Sequence, residues 1–117
     1  MSKIMNAIRF TVSVSPSMNQ FKHRWSKLNY KKKYLRELKG YELILSLKKK
    51  VKKAIVYTRY GSRILDKDNY HGGTKPLTDA IKEKGLIVDD SPKWCEIIFM
   101  PQQKCKRGME RTEVVII

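Results

Sequence analysis

The sequence has 117 residues, the length of one domain, and its 26 Lys and Arg against 11 Asp and Glu leave a formal charge of +15. A charge of this size indicates a phosphate polymer or an anionic membrane as the partner. The apolar stretches are far shorter than the ~20 residues that span a bilayer, which argues against a membrane protein. Met1–Asn6 has no signal-peptide core, and Cys95 and Cys105 are too few for a disulfide framework. We therefore expect one cytoplasmic domain, residues 1–117, with both thiols reduced.

The first half of the chain predicts a strand, a long helix and a second strand. Apolar and polar residues alternate from Ile8 to Val14, which is typical of a half-buried strand. From about Ser26 to Lys50 we predict an amphipathic helix, in which Gly40 marks a possible kink or break. Its apolar residues fall at helical spacing: Tyr34, Leu38, Tyr41 and Leu45. The segment from Ala54 to Tyr60 is rich in β-branched and aromatic residues and predicts the second strand.

The second half predicts a loop, a short helix and two further strands. Residues 70–74 form the loop, and a helix begins near Pro76 and ends at Gly85, because proline suits a first turn and glycine a C-terminal cap. Strands follow from Trp94 to Met100 and from Thr112 to Ile117. The order β-α-β-α-β-β predicts an α+β domain with a mixed sheet and helices packed on it.

The basic residues are concentrated in one part of the chain. Thirteen of the 26 lie between Lys22 and Lys53, against only Glu37 and Glu42. Such a run is compatible with a solvated helix face, but its excess of charge and the aromatic residues among it favour nucleic acid. We predict these DNA-binding residues: Lys22, Arg24, Lys27, Lys31, Lys32, Lys33 and Lys67.

All five aspartates lie within residues 66–90: Asp66, Asp68, Asp79, Asp89 and Asp90. Carboxylates gathered in a strongly basic chain indicate a divalent cation such as Mg²⁺, which prefers oxygen ligands. If residues 65–69 are extended, Asp66 and Asp68 point to one face. Asp90 returns to that neighbourhood if the strands on either side of the short helix are neighbours. These three aspartates are therefore our predicted Mg²⁺ ligands, and Asp66, Asp68, Lys75 and Asp90 our predicted catalytic residues.

Alternatives remain open at this point for several of these residues. The segments around Asp66 and Asp89 each resemble simple turns, since Asp and Asn bond their own backbone. Lys75 is the predicted cation for the phosphoryl oxygens. Lys67 is a second candidate, although in an extended segment it points away from its neighbours. We expect His71 to be an exposed loop residue rather than a ligand or base, and the cysteines lack zinc spacing.

The acidic segment resembles the RusA-type Holliday junction resolvases. The shared pattern is D-x-D-N, a lysine, D-A-(apolar) and G-(apolar)₃-D-D, here Asp66-Lys67-Asp68-Asn69, Lys75, Asp79-Ala80-Ile81 and Gly85-Leu86-Ile87-Val88-Asp89-Asp90. The segment Ser15–Asn19 is similar to the N-terminal loop of that family. The resemblance covers about residues 10–100.

This resemblance implies a Mg²⁺-dependent, homodimeric endonuclease that nicks four-way DNA junctions in pairs and uses no small-molecule cofactor. By position, Asp66, Asp68 and Asp90 would be metal ligands and Lys75 the catalytic cation, with Asp79 and Asp89 in supporting roles. The sequence departs from the pattern by placing Asn69 to Thr74 between the second aspartate and the lysine. This insertion contains Gly72-Gly73, as in phage-type members, and we expect it to be flexible.

Two other functions are compatible with the same features. One is a non-catalytic, basic nucleic-acid-binding module in which the aspartates form turns. The other is a nuclease of the same chemistry that acts on other branched DNA or on RNA. Cleavage of a four-way junction in the presence of Mg²⁺ distinguishes these possibilities.

Overall fold

Five strands and three α-helices follow one another in the computed structural model, which describes residues 7–40 and 51–117. A short 3-10 helix, Met18–Gln20, lies between the first strand and the first α-helix. In chain order the elements are β1 (Ile8–Val12), α1 (Arg24–Glu37), β2 (Lys53–Gly61), α2 (Lys67–Gly73), α3 (Lys75–Glu83), β3 (Cys95–Phe99), β4 (Gln103–Lys104) and β5 (Arg111–Ile116).

The strands form one mixed sheet in the order β1-β5-β2-β3, with β4 paired to the end of β2. β5 is antiparallel to both β1 and β2, whereas β2 and β3 are parallel. Ile55 in the central strand β2 lies opposite Ile97 on one side and Ile116 on the other. The predicted mixed sheet is confirmed, and the strands on either side of the short helix, β2 and β3, are neighbours in it.

The core lies between the sheet and the pair of helices α1 and α3. Every second residue of β2 and β5 is buried, as the two-residue period of a strand requires. Burial of each large aliphatic side chain contributes about 1.5–3 kcal/mol, so this layer holds the single α+β domain together. The fully buried apolar side chains include Tyr34 and Leu38 from α1 and its C-cap, Ile55 and Tyr57 from β2, Leu77 and Ile81 from α3, and Ile116 from β5.

The first α-helix is shorter than predicted. It spans Arg24–Glu37, Leu38 caps it, and Gly40 follows with a positive φ of 100°, a conformation that suits glycine. The chain therefore leaves the helix before Gly40. Residues 41–50, which include the predicted helical positions Tyr41 and Leu45, lie outside the described residues, as does the segment 1–6. Within the described ranges, no helix is long and apolar enough to cross a membrane.

The predicted loop at residues 70–74 is wrong, because a helix, α2, runs from Lys67 to Gly73. The Asp66 carboxylate starts it by accepting a hydrogen bond of 2.9 Å from the backbone N–H of Asn69. Tyr70 then anchors the helix: its hydroxyl lies 3.2 Å from the carbonyl oxygens of both Tyr57 and Met100. An N-cap and one buried aromatic ring thus outweigh the low helix propensity of asparagine and glycine.

The glycine pair at the end of α2 is packed against the loop that follows β1. A Cβ at Gly73 would collide with the carbonyl oxygen of Pro16, whereas one at Gly72 would meet the side chain of Met18. We expect Gly73→Ala to lower the free energy of unfolding by about 1–3 kcal/mol, since backbone cannot move aside as readily as a methionine side chain. Gly72→Ala is the matched control with the same gain in helix propensity. Urea unfolding that shows equal losses for both variants would contradict this packing.

Candidate functional site

Asp66 and Asp68 do not share a face. Asp66 is the N-cap of α2, and its two oxygens accept hydrogen bonds of 2.9 Å from the backbone N–H and the Nδ2 of Asn69. Asp68 is exposed in the first turn of α2. At 3.6 residues per turn, positions two apart on a helix point about 200° apart. The prediction that these side chains point the same way is wrong, because the extended chain ends where α2 begins.

Asp90 lies apart from Asp66. In a parallel pair, the segment after one strand and the segment before the next lie at opposite ends, and here Asp66 follows β2 while Asp90 precedes β3. The two aspartates line different cavities. In residues 7–40 and 51–117, no group of three or more Asp, Glu, His or Cys side chains could hold a metal ion. The predicted trio of Asp66, Asp68 and Asp90 therefore does not fit Mg²⁺ in this arrangement.

A crevice between α3 and β3 does bring several of the candidate residues together. It has a volume of about 240 Å³, and Ile97 and Phe99 of β3 form its apolar wall. Lys75 and Asp79 lie one turn apart on α3, and Asp90 lines the same space. We call this space the α3–β3 crevice. Two of the four predicted catalytic residues, Lys75 and Asp90, therefore line the crevice. Asp79, which was predicted to have a supporting role, lines it with them.

His71 also lines the α3–β3 crevice and is not the exposed loop residue that we expected. Its ring stacks on Phe99, with 3.8 Å between centroids and an interplanar angle of 13°. The side chain is half-buried at the end of α2. Asp68 lies one turn before His71, where Cβ atoms are about 5–6 Å apart. Asp68 therefore lies on the same face of α2 as His71, whereas Asp66 caps the helix.

The adjacent residues Asp89 and Asp90 differ in their partners. Lys82 Nζ lies 2.8 Å from Asp89 Oδ1 but 3.9 Å from Asp90 Oδ1. The hydrogen bond from Lys82, with a second from Ser91, lowers the pKa of Asp89 to about 2. The stabilisation from this depressed pKa is present above the ordinary carboxyl pKa of 3.8 and is lost as the pH falls through about 2. Asp89 is thus engaged by Lys82, and Asp90 is the member of the pair that lines the crevice.

The donors of the crevice fit Mg²⁺ in chemical type. This ion commonly takes one or two carboxylates and completes its shell with waters and substrate phosphates. Asp79 and Asp90 would supply the two carboxylates, and Lys75 the cation beside them. Of the three predicted Mg²⁺ ligands, only Asp90 lines the crevice, and Asp66 and Asp68 do not.

The predicted DNA-binding residues are exposed, with one exception. Lys31 is half-buried, and its Nζ lies 2.8 Å from Glu83 Oε1, which joins α1 to the end of α3. Trp25 is 63% exposed, with the Arg24 guanidinium 5.5 Å from its ring centroid, while Tyr34 is buried. Trp25 is thus a ring in this region that an unpaired base can reach. The exposed basic residues are Lys22, Arg24, Lys27, Lys32, Lys33 and Lys67.

Comparison with known proteins does not assign the chain to a family: no protein-family model matches the sequence, and no curated protein matches it significantly. The resemblance to the RusA-type resolvases therefore stands on the quoted motifs.

Sequence reasoning undervalued His71 and Asp79. Together with Lys75 they recur at intervals of four residues, which is the period of one helix face. This spacing could have indicated that the three side chains lie close together, but only if residues 67–73 had been predicted as a helix. The predicted loop in this segment concealed it.

Proposed function

We propose that this protein is a Mg²⁺-dependent endonuclease that cleaves branched DNA, with the four-way junction as its substrate. The observation that supports this most strongly is the α3–β3 crevice, where Lys75, Asp79 and Asp90 line one space. α1, which carries the basic residues, packs against α3, which carries Lys75 and Asp79. An acidic crevice beside a polycationic helix suits the cleavage of a phosphate polymer. The choice of a four-way junction comes from the motif resemblance.

Each residue of the crevice has a role in this proposal. Asp79 and Asp90 would hold Mg²⁺, which when bound activates water and stabilises the leaving oxygen. Lys75 neutralises charge on the phosphoryl oxygens. His71, whose ring is oriented by its stacking on Phe99, is placed to give a proton to the leaving oxygen. Paired cuts require two such sites related by a two-fold axis, so the active form would be a homodimer.

One assay tests the proposal against its alternatives. The full chain is incubated with a four-way junction, a linear duplex and a hairpin of the same base composition, with and without Mg²⁺. Paired nicks near the junction that require the metal are the expected result. Binding without cleavage would instead favour the non-catalytic nucleic-acid-binding module. The separation of Asp66 from Asp90 supports this alternative, because the two predicted metal ligands line different cavities. Equal cleavage of all three substrates would favour a nuclease of broader specificity.

The basic residues of α1 should differ in their contribution to DNA affinity. Replacing Lys32 and Lys33 by Gln is expected to reduce the slope of log affinity against log salt by about one for each phosphate that the protein no longer neutralises. Lys31→Gln should change the slope less, because Lys31 is already paired with Glu83. Junction affinity measured over a salt series provides the slopes. An unchanged slope in the double variant would show that this face of α1 points away from DNA.

A further inference from the structure

A second cavity, larger than the crevice, lies between the loop after β1, α1 and the end of β2. Its volume is about 680 Å³, within the range of small-molecule sites. It shares no lining residue with the α3–β3 crevice. Its basic lining residues are Lys33, Arg59 and Arg63, and we call it the Arg59 cavity.

Arg59 is a buried cation in the wall of this cavity. Its side chain is only 7% exposed, and burial lowers its pKa. Nε donates to the carbonyl oxygen of Ser15 at 2.8 Å and Nη1 to that of Arg63 at 3.0 Å. No carboxylate of the described residues forms a salt bridge with it. Glu110, which lines the same cavity, interacts electrostatically with Arg59 without forming a salt bridge, so the guanidinium remains available to an anion.

Ser15 has a side chain that is unpaired among the described residues and lies in the wall of the same cavity. It is fully buried, and its hydroxyl has no hydrogen-bond partner in the described part of the chain. Buried hydroxyl groups are nearly always paired, so one that is not indicates a missing partner. Ser15 lines the same cavity as Arg59, so a small movement of its side chain would bring the hydroxyl and the guanidinium to one anion.

The carboxylates in the same wall are already engaged. Asp66 accepts hydrogen bonds from Asn69, and Glu110 Oε2 accepts one of 3.3 Å from the backbone N–H of Ser62. Lys33, exposed on α1, adds a cation at the edge of the cavity. Three basic residues against two occupied carboxylates favour an anionic ligand over a metal ion.

We propose that the Arg59 cavity binds the phosphate group of a nucleotide, free or within a strand, through Arg59 and Ser15, with Lys33 at its edge. The guanidinium matches phosphate oxygens in geometry and charge. The space is larger than a phosphate needs, and Asn19, Gln20 and the Tyr30 ring in its wall suit the sugar and base. This binding site is separate from the crevice and does not depend on cleavage.

The test follows the Arg59 Nε–H and Ser15 amide signals of the full chain by NMR during titration. The probes are inorganic phosphate, thymidine 5′-monophosphate and a short oligothymidine. Saturable shifts of both signals are expected with at least one nucleotide probe. Tighter binding of the monophosphate would identify a free nucleotide as the source, and tighter binding of the oligomer a strand. Absence of saturable shifts with all three probes would overturn the proposal.

Substitutions separate a ligand role from a structural one. Ser15→Ala should weaken phosphate binding about tenfold without lowering thermal stability, because the removed hydroxyl bonds nothing in the described protein. Lys33→Gln should weaken binding, while Lys39→Gln, which changes an exposed lysine outside the cavity, should not. Arg59→Lys retains the charge in case Arg59→Gln fails to fold, and should still lose affinity. Unchanged affinity in Ser15→Ala and Lys33→Gln would contradict the assignment. Asp90→Asn should bind the phosphate probes with unchanged affinity, because Asp90 lines the α3–β3 crevice and not the Arg59 cavity. Phosphate binding can therefore be measured even if the protein does not cleave DNA.

Discussion

Asp90→Asn should lose Mg²⁺-dependent junction cleavage by about 10²-fold or more, because it removes a proposed ligand of the Mg²⁺ on which the reaction depends. The substitution keeps the size of the side chain but removes one of two carboxylates that line the α3–β3 crevice. Junction binding should persist or become tighter, since one negative charge near the DNA phosphate is gone. Single-turnover cleavage and gel-shift binding of the same preparation measure both effects.

Asp89→Asn is the matched control for this variant. Asp89 lies next to Asp90 in the chain but pairs with Lys82 at 2.8 Å. Partly exposed ion pairs contribute little to stability, so this variant should fold normally and retain cleavage within about tenfold of the parent. Similar losses in both variants would mean that the position of Asp90 in the crevice is irrelevant to the reaction.

Lys75→Gln should reduce the rate of the cleavage step by about 10²-fold, with a smaller effect on junction affinity. Lys75 is exposed in the first turn of α3 and lines the crevice with Asp79 and Asp90. A cation that neutralises charge developing on the phosphate acts mainly in the transition state, so the rate should suffer more than binding. Single-turnover rates at saturating enzyme isolate this step.

Lys67→Gln serves as the comparison for Lys75→Gln. Lys67 lies in a neighbouring pocket, which shares His71 and Phe99 with the crevice but contains none of Lys75, Asp79 and Asp90. It should change affinity and its salt dependence, but the cleavage rate of bound junction should stay within a few-fold of the parent. A large rate loss in Lys67→Gln together with a normal rate in Lys75→Gln would reverse the assignment of the catalytic cation.

The fold was predictable where local patterns and packing agree. The β-branched and aromatic residues of segment 54–60 predicted β2 to within one residue at each end, and the last strand was predicted equally closely. Pro76 and Gly85 marked the ends of α3 to within two residues. The parallel pairing of β2 and β3 was not predicted, because the sequence analysis considered only whether the two strands are neighbours. α1 was predicted too long, because apolar spacing continued past Gly40 although glycine there leaves the helix.

The candidate site was predicted only in part, because its geometry depends on one short helix. Asp66-Lys67-Asp68-Asn69 resembles a turn or an extended segment in isolation, and the buried contacts of Tyr70 that make α2 helical are tertiary. Because α2 forms, Asp66 is its N-cap, and His71 lines the α3–β3 crevice together with Lys75. The five aspartates were predicted to belong to one site, but Asp66 lines one cavity while Asp79 and Asp90 line another, a separation that was not visible in the sequence.

The most direct test of the proposed catalytic site is to determine where on the protein a divalent metal ion binds. Mn²⁺ takes the same oxygen ligands as Mg²⁺ and broadens the NMR signals of nearby amides. During a Mn²⁺ titration of the full chain, the amide signals of Asp79 and Asp90 should broaden first. Initial broadening at Asp66 and Asp68, with Asp79 and Asp90 still sharp, would contradict a metal site in the α3–β3 crevice.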